Sequence, residues 1–138
     1  MRRRVFLFAG LILRTVESSA QSRAREPAMQ SKKFAIPAEA MRQLVPPMGG
    51  AFATDRITVE GRPVGYMYRE FPNRKEDSGW RFFAGDEDQG YIDDLSHTAI
   101  YAVNTVANYD PDIIPYLDTP PPCAFEKMPG SRGYRRVK

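Results

Sequence analysis

The sequence predicts an α+β fold, a small and mainly antiparallel sheet with short helices packed on one side, in a single domain. The length of 138 residues fits one domain, and the apolar fraction of 42% can fill one small core. Segments with the residue preferences of strands are interspersed with short segments of helical spacing. Proline and glycine separate many of them, as expected for connections in a compact domain.

The first elements are predicted between residues 36 and 70. A short helix is predicted to begin around Pro37, because the backbone N–H that proline lacks has no hydrogen-bond partner in the first turn of a helix. The helix ends at Pro46 and Pro47. Residues 51–60 and 64–70 are rich in strand-forming residues and are separated by a glycine-containing turn. We expect these two segments to form an antiparallel hairpin.

A third strand is predicted at residues 80–84, where aromatic residues of high β-propensity follow a glycine. An acidic loop then covers residues 85–94. Ser96 or Thr98 can cap a helix that runs to about Asn108, because apolar residues there recur at helical spacing.

The last part of the domain is predicted to be short and irregular. Asp110 is a credible cap for one more short helix, which Pro115 keeps from extending. Residues 123–126 are expected to add an edge strand, and the chain from Pro129 onward is expected to be flexible.

Charge divides the chain into three parts. The formal charge of +3 and the isoelectric point near 9.1 come from the two ends. Residues 1–28 carry six Arg against two Glu, whereas residues 29–130 hold 10 basic and 15 acidic side chains, a net charge of −5. We therefore predict a leader at 1–28, one α+β domain at 29–128 and a basic, flexible tail at 129–138. An acidic domain is not expected to bind nucleic acid.

The leader has the order of a secretory signal, with arginines, the nine-residue apolar run Val5 to Leu13 and then small residues. Such a run is too short to span a bilayer, which takes roughly 20 residues, so no membrane span is expected. We nevertheless expect that translation begins at Met29 and that the protein is cytoplasmic. The alternative is a genuine signal peptide and an exported protein.

The stretch from Ser78 to Asp118 contains the only Trp and the only His of the chain. No Lys or Arg occurs between Arg81 and Lys127, while that interval holds nine carboxylates. Aromatic and β-branched residues lie among the acids, unlike in a disordered acidic tail. The pattern indicates a folded acidic surface that is supported by a core.

The acidic cluster also has a metal-binding interpretation. Asp86 and Asp88 have the spacing of the first ligands of a calcium loop, but the later positions that need Gly and Glu hold Tyr91 and His97. A looser cation site built from Asp86, Asp88, Asp93 and Asp94 remains an alternative, and with it a metal-dependent enzyme.

Other catalytic patterns are weak. Ser96 and His97 are adjacent, and adjacent residues rarely present their side chains to each other in a helix. The sequence contains neither GxxxxGK[ST] nor GxGxxG, so no phosphate-binding loop is predicted. Cys123 is the single cysteine, which rules out an intramolecular disulfide, and its proline-rich surroundings favour a bystander over a catalytic thiol.

Three ordered motifs give the chain a family resemblance: ATDRITVEGRPVGYMYRE, SGWRFFAGDEDQGY and NTVANYDPDIIPYLDTP. They resemble the bacterial immunity protein 33 domain, over about Phe34 to Glu126. The resemblance implies a small single domain that begins near KKFAIP, in agreement with a start at Met29. It also implies an immunity role, because genes of the family lie near polymorphic toxin genes. It implies no catalytic residue. The leader, the segment PPPCAFEK and the basic tail depart from the family pattern.

We therefore expect a non-enzymatic immunity-type protein that binds and neutralises a cognate toxin, without a cofactor or a metal. The acidic surface suits a basic toxin such as a nuclease. The expected partner-binding residues are the acids that steer the encounter and two aromatic anchors: Asp86, Glu87, Asp88, Asp93, Asp94, Trp80 and Tyr91. Besides the metal-dependent enzyme, a housekeeping protein-interaction module is an alternative.

Overall fold

The computed structural model describes residues 32–137, which form a six-stranded sheet with short helices. The predicted leader and the start at Met29 lie outside these residues. The strands are β1 (Gly50–Thr54), β2 (Tyr66–Arg69), β3 (Asp77–Phe83), β4 (Thr98–Ala102), β5 (Cys123–Lys127) and β6 (Tyr134–Arg136). The α-helices are α1 (Asp55–Thr58), α2 (Gln89–Asp93) and α3 (Val103–Tyr109), and 3₁₀ helices occupy Ala38–Ala40, Leu95–His97 and Pro111–Tyr116.

The strand order is β4-β1-β3-β2-β5-β6. The pair of β1 and β3 is parallel, and the other neighbouring strands are antiparallel. The α+β fold class and the mainly antiparallel sheet are therefore confirmed. Within residues 32–137, none of the helices has the length and apolar character needed to cross a membrane.

The predicted hairpin of residues 51–60 and 64–70 is wrong. β1 stops at Thr54, and α1 follows at once with Ile57 and Thr58 both buried, which a strand with one buried face does not produce. β3 lies between β1 and β2 in the sheet. The turn after α1 therefore connects two strands that are not neighbours.

The predicted helix from Ser96 or Thr98 to Asn108 is wrong in its first half. Residues 98–102 form β4, which pairs with β1 along its whole length, and the helix begins only at Val103. The predicted helix after Pro37 is also wrong, because the chain forms a 3₁₀ turn at Ala38–Ala40 and then continues without helical structure to Pro46. The side-chain oxygen of Asn104 accepts from the backbone amides of Leu44 and Val45, which stabilises an irregular path.

The later elements agree better with the sequence. The third strand is present and extends over Asp77–Phe83. Asp110 caps the 3₁₀ helix Pro111–Tyr116, because its side chain accepts a hydrogen bond from the Asp112 amide at 3.0 Å. The strand at Cys123–Lys127 exists but is not at an edge, because β6 pairs with it. β6 lies in the segment predicted to be a flexible tail, and its Tyr134 is buried.

The sheet has two unlike faces. On the covered face, Trp80 and Phe82 of β3 and Met67 of β2 pack against α1, α3 and the Pro111–Tyr116 helix, and all three are fully buried. The strand residues between these side chains point to the open face, where they form a second, smaller cluster. This cluster centres on Phe83 and Ile92, so α2 packs on the face opposite to the other helices.

Candidate protein-binding surface

The acidic loop, residues 84–97 between β3 and β4, lies beside the open face. Its first part is anchored by Glu87, whose side chain is buried, with 4% exposure. The carboxylate accepts hydrogen bonds from the amides of Ala84 and Gly85, each at 2.8 Å, and from the Thr54 hydroxyl. Glu87 therefore closes the turn after β3. Its expected role in partner binding needs correction, because the side chain is turned inward.

Three other acids of the loop are exposed. Asp88 caps α2 by accepting from the Tyr91 amide at 2.8 Å. Asp94 caps the next 3₁₀ helix, and hydrogen bonds from the hydroxyl and amide of Ser96 hold the pKa of Asp94 below its usual value. Asp93 accepts a hydrogen bond from the side-chain amide of Gln89 at 2.8 Å. Within residues 32–137, none of the three forms an ion pair with Lys or Arg.

Asp86 differs from these three because two arginines reach it. Its carboxylate lies 3.0 Å from the Arg56 guanidinium and 2.6 Å from that of Arg62. Burial alone would raise the pKa of Asp86, but the hydrogen bond from Arg62 and the two positive charges lower it. The acidic loop thus contains no Lys or Arg in its sequence, but Arg56 and Arg62 approach it in the fold. Asp86 contributes less net charge to the surface than the other exposed acids.

Tyr91 is the aromatic residue of this loop that remains half-exposed. The Arg56 guanidinium lies 4.5 Å from the centre of its ring, and the His97 ring stacks against it at 4.0 Å. The ring is therefore held in a fixed position, as an interface anchor should be. Trp80, the other expected anchor, has 0% exposure and donates its indole N–H to the Leu117 carbonyl at 3.2 Å. The anchor role of Trp80 needs correction, because Trp80 belongs to the core of the covered face.

The open face continues from Tyr91 onto the sheet. Phe52, Tyr66 and Tyr68 are half-buried and pack around Phe83, with Tyr68 stacked on Phe83 at 5.9 Å. Tyr66 and Tyr68 are two positions apart in β2, a spacing that predicts side chains on one face of the sheet. The sequence alone did not indicate that these tyrosines belong to the candidate site. Half-buried tyrosines beside charged groups are common in protein interfaces.

Arg81 crosses the open face with a side-chain exposure of 3%. Its guanidinium contacts both oxygens of Asp77 at 2.9 Å, contacts Glu70 at 2.8 Å and lies over the Phe52 ring. Burial lowers the pKa of Arg81, but the hydrogen bonds that it donates to Asp77 and Glu70 outweigh this and raise the pKa above its ordinary value. The positive charge of Arg81 is therefore neutralised within the domain by Asp77 and Glu70.

The described side chains of the acidic loop do not have the arrangement of a catalytic triad. Asp94 contacts both Ser96 and His97, whereas a serine nucleophile needs the histidine between the other two residues. Among the described residues, no group of three or more His, Cys, Asp or Glu side chains converges to hold a metal ion. The cation-site alternative therefore gains no support from this geometry.

Asp110 is a second buried acid, and it joins the covered face to the C-terminal strands. Its carboxylate accepts from the Val64 amide at 2.9 Å, the Lys127 ammonium at 2.8 Å and the Tyr134 hydroxyl at 3.2 Å. Burial, together with the Asp110 charge, raises the pKa of Tyr134. This network holds β5 and β6 in place and leaves no group free for a partner.

Comparison with protein-family models identifies the family of the chain. A family model described as the Immunity protein Imm33 domain matches residues 51–137, from β1 to just beyond β6. Neither a curated protein nor a solved structure matches the chain.

Proposed function

Because the chain belongs to the Immunity protein Imm33 domain family, we propose that it is a non-enzymatic protein that binds and neutralises a cognate bacterial toxin. The observation that carries this proposal is the position of the acidic loop. Asp88, Asp93 and Asp94 are exposed, form no ion pair with Lys or Arg among residues 32–137 and lie in the same short loop as the fixed ring of Tyr91.

The unpaired carboxylates determine the kind of partner. Like charges in one loop repel each other, and a basic protein surface relieves this repulsion when it binds. Charged groups at the rim of an interface mainly accelerate association, while aromatic residues at its centre slow dissociation. We assign the steering role to Asp88, Asp93 and Asp94 and the anchoring role to Tyr91. A basic toxin, such as a nuclease, fits this arrangement.

Neutralisation requires only that the bound protein cover the active region of the toxin. The domain supplies a rigid surface for this, since Glu87 anchors the start of the loop and two side-chain caps stabilise its helices. A preformed loop loses little conformational entropy on binding, which favours high affinity.

The test is co-expression of the full chain with each flanking gene whose product arrests growth when expressed alone, combined with measurement of the association rate for that product. We expect the chain to restore growth. Replacing Asp88 and Asp93 by Asn keeps the helix cap but removes two charges. We expect this variant to associate about tenfold more slowly at low salt, with a smaller difference at high salt.

The matched control is the double variant Glu39→Gln with Asp118→Asn, which removes two exposed charges elsewhere. It should associate at the wild-type rate. Absence of both rescue and binding would refute the immunity function. Binding with equal rates for the two double variants would refute the steering role of the acidic loop and leave the immunity function standing.

A further inference from the structure

A shallow groove of about 120 Å³ opens on the sheet beside β4, outside the acidic loop. Its floor is formed at Gly50, which has no side chain, and its walls include Phe52 and Ile100. A Cβ atom at Gly50 would lie 3.1 Å from a methyl group of Ile100. The groove therefore exists because the residue that could fill it is glycine.

The walls of the groove are apolar and accessible. Ile100 has an exposure of 65% although it lies in the middle of a strand, opposite Phe52 of β1. β4 is an edge strand without a charged residue, whereas the strand at the other edge, β6, carries Arg135 and Arg136. Exposed edge strands are usually protected by charges. A bare apolar edge is expected where another molecule covers it.

The rim of the groove carries charges of both signs, with Arg74 and Arg81 beside Glu76 and Asp77. Glu76 is exposed and has no ion-pair partner among residues 32–137, while Asp77 is bound to Arg81. The guanidinium of Arg81 is already saturated by Asp77 and Glu70. Arg74 also lies at the rim, and its charge acts on Asp77, whose pKa it helps to lower. Glu76 is thus the acid of the rim that has no ion-pair partner among residues 32–137. A basic residue of a partner can therefore pair with Glu76.

The groove and the acidic loop belong to one continuous surface. Phe52 forms a wall of the groove, and it also packs in the open-face cluster of Phe83 and Ile92, to which Tyr91 belongs. A partner that contacts Tyr91 from the open side therefore extends naturally onto Phe52 and Ile100.

We propose that this groove is the anchor pocket for the toxin and receives one aliphatic side chain, with a Lys or Arg next to it in the toxin that pairs with Glu76. This inference rests on the proposed function. The size agrees, since an apolar cavity of about 150 Å³ accommodates benzene. The flanking basic residue follows from the unpaired charge of Glu76 and from the acidic loop on the same surface.

The first test is the affinity of two groove variants for the toxin that the co-expression experiment identifies. Ile100→Asp places a charge on the wall, and we expect about 30-fold weaker binding or more, as for a central interface residue. Gly50→Ala narrows the floor without adding charge, and a smaller loss is expected. Val137→Asp is the matched control, an exposed β-branched residue with 43% exposure beyond the opposite edge of the sheet.

The second test identifies the chemistry of the occupant. With p-benzoylphenylalanine at position 100, irradiation of the complex should cross-link a toxin peptide with an aliphatic residue within two positions of Lys or Arg. The same label at position 137 should not cross-link. Thermal unfolding of each variant by circular dichroism verifies that the fold is retained.

The outcomes separate this inference from the proposed function. If the toxin binds wild type, Ile100→Asp and Val137→Asp equally, the groove is not its anchor pocket, and the immunity function stands. A cross-linked peptide that is acidic or entirely polar overturns the stated chemistry. If the toxin does not bind the wild-type chain, the proposed function fails and the groove inference fails with it.

Discussion

The two faces of the sheet use the same strands for different purposes. On the covered face, Trp80 and Phe82 are fully buried and the one polar atom of the indole ring is hydrogen-bonded. On the open face, the aromatic rings of Phe52, Tyr66 and Tyr68 are only half-buried, and charged groups lie beside them. The covered face therefore stabilises the domain, and the open face is the one that we propose for contact with another protein.

The acids show the same contrast at the level of single residues. Glu87 and Asp110 are buried and accept hydrogen bonds from backbone amides, whereas Asp88 and Asp93 are exposed. Adjacent carboxylates in one loop therefore have opposite roles. A count of charges in the sequence cannot separate them.

The largest expected effect on stability is on the covered face. Trp80→Ala should lower the free energy of unfolding by about 3–5 kcal/mol, because it leaves a cavity in a close-packed core. Tyr66→Ala on the open face should cost clearly less, since its ring is half-exposed. Urea denaturation followed by circular dichroism measures both. Equal losses would contradict the assignment of stability to one face.

A smaller loss is expected at Glu87. Glu87→Gln leaves an amide group facing backbone donors and should lower the free energy of unfolding by about 2 kcal/mol. The control Asp93→Asn should change it by less than about 0.5 kcal/mol, because that side chain is exposed. If the two variants had the same stability, Glu87 would not be the anchor of the acidic loop.

The smallest effect is a dependence on pH. Burial raises the pKa of Asp77, but its hydrogen bonds from Arg81 outweigh this and the folded-state pKa lies below the ordinary value. Between the lowered folded-state pKa and the unfolded-state pKa of about 3.9, the unfolded chain binds more protons than the folded protein. Stability is therefore lost as the pH falls through this window. Asp77→Asn should reduce the slope of stability against pH below about pH 4. An unchanged slope would show that the Arg81 network does not contribute to it.

Local patterns predicted much of the fold. The aromatic strand β3, the strand β5 and the Asp110 cap could be assigned because each depends on residues that are neighbours in the sequence. The helix that follows Thr54 and the strand β4 could not, since segments of four or five residues take the structure that their distant partners stabilise. The parallel pairing of β1 with β3 is such a distant contact.

The candidate site was predictable in part for the same reason. The sequence located an acidic loop with Tyr91, and the structure places both beside the open face. It could not show that Arg56 and Arg62, more than 20 positions away in the chain, reach Asp86. Nor could it show that Trp80 points to the covered face. The register of strands decides that, and a shift of one residue reverses it.

Amide hydrogen exchange of the full chain, with and without the toxin that it neutralises on co-expression, tests the assignment of the open face most directly. The account predicts slower exchange on binding in residues 86–97 and in β1 and β4, with little change in α3 and the Pro111–Tyr116 helix. Protection confined to α3 and Pro111–Tyr116, with residues 86–102 unaffected, would contradict it, because the toxin would then bind the covered side of the domain.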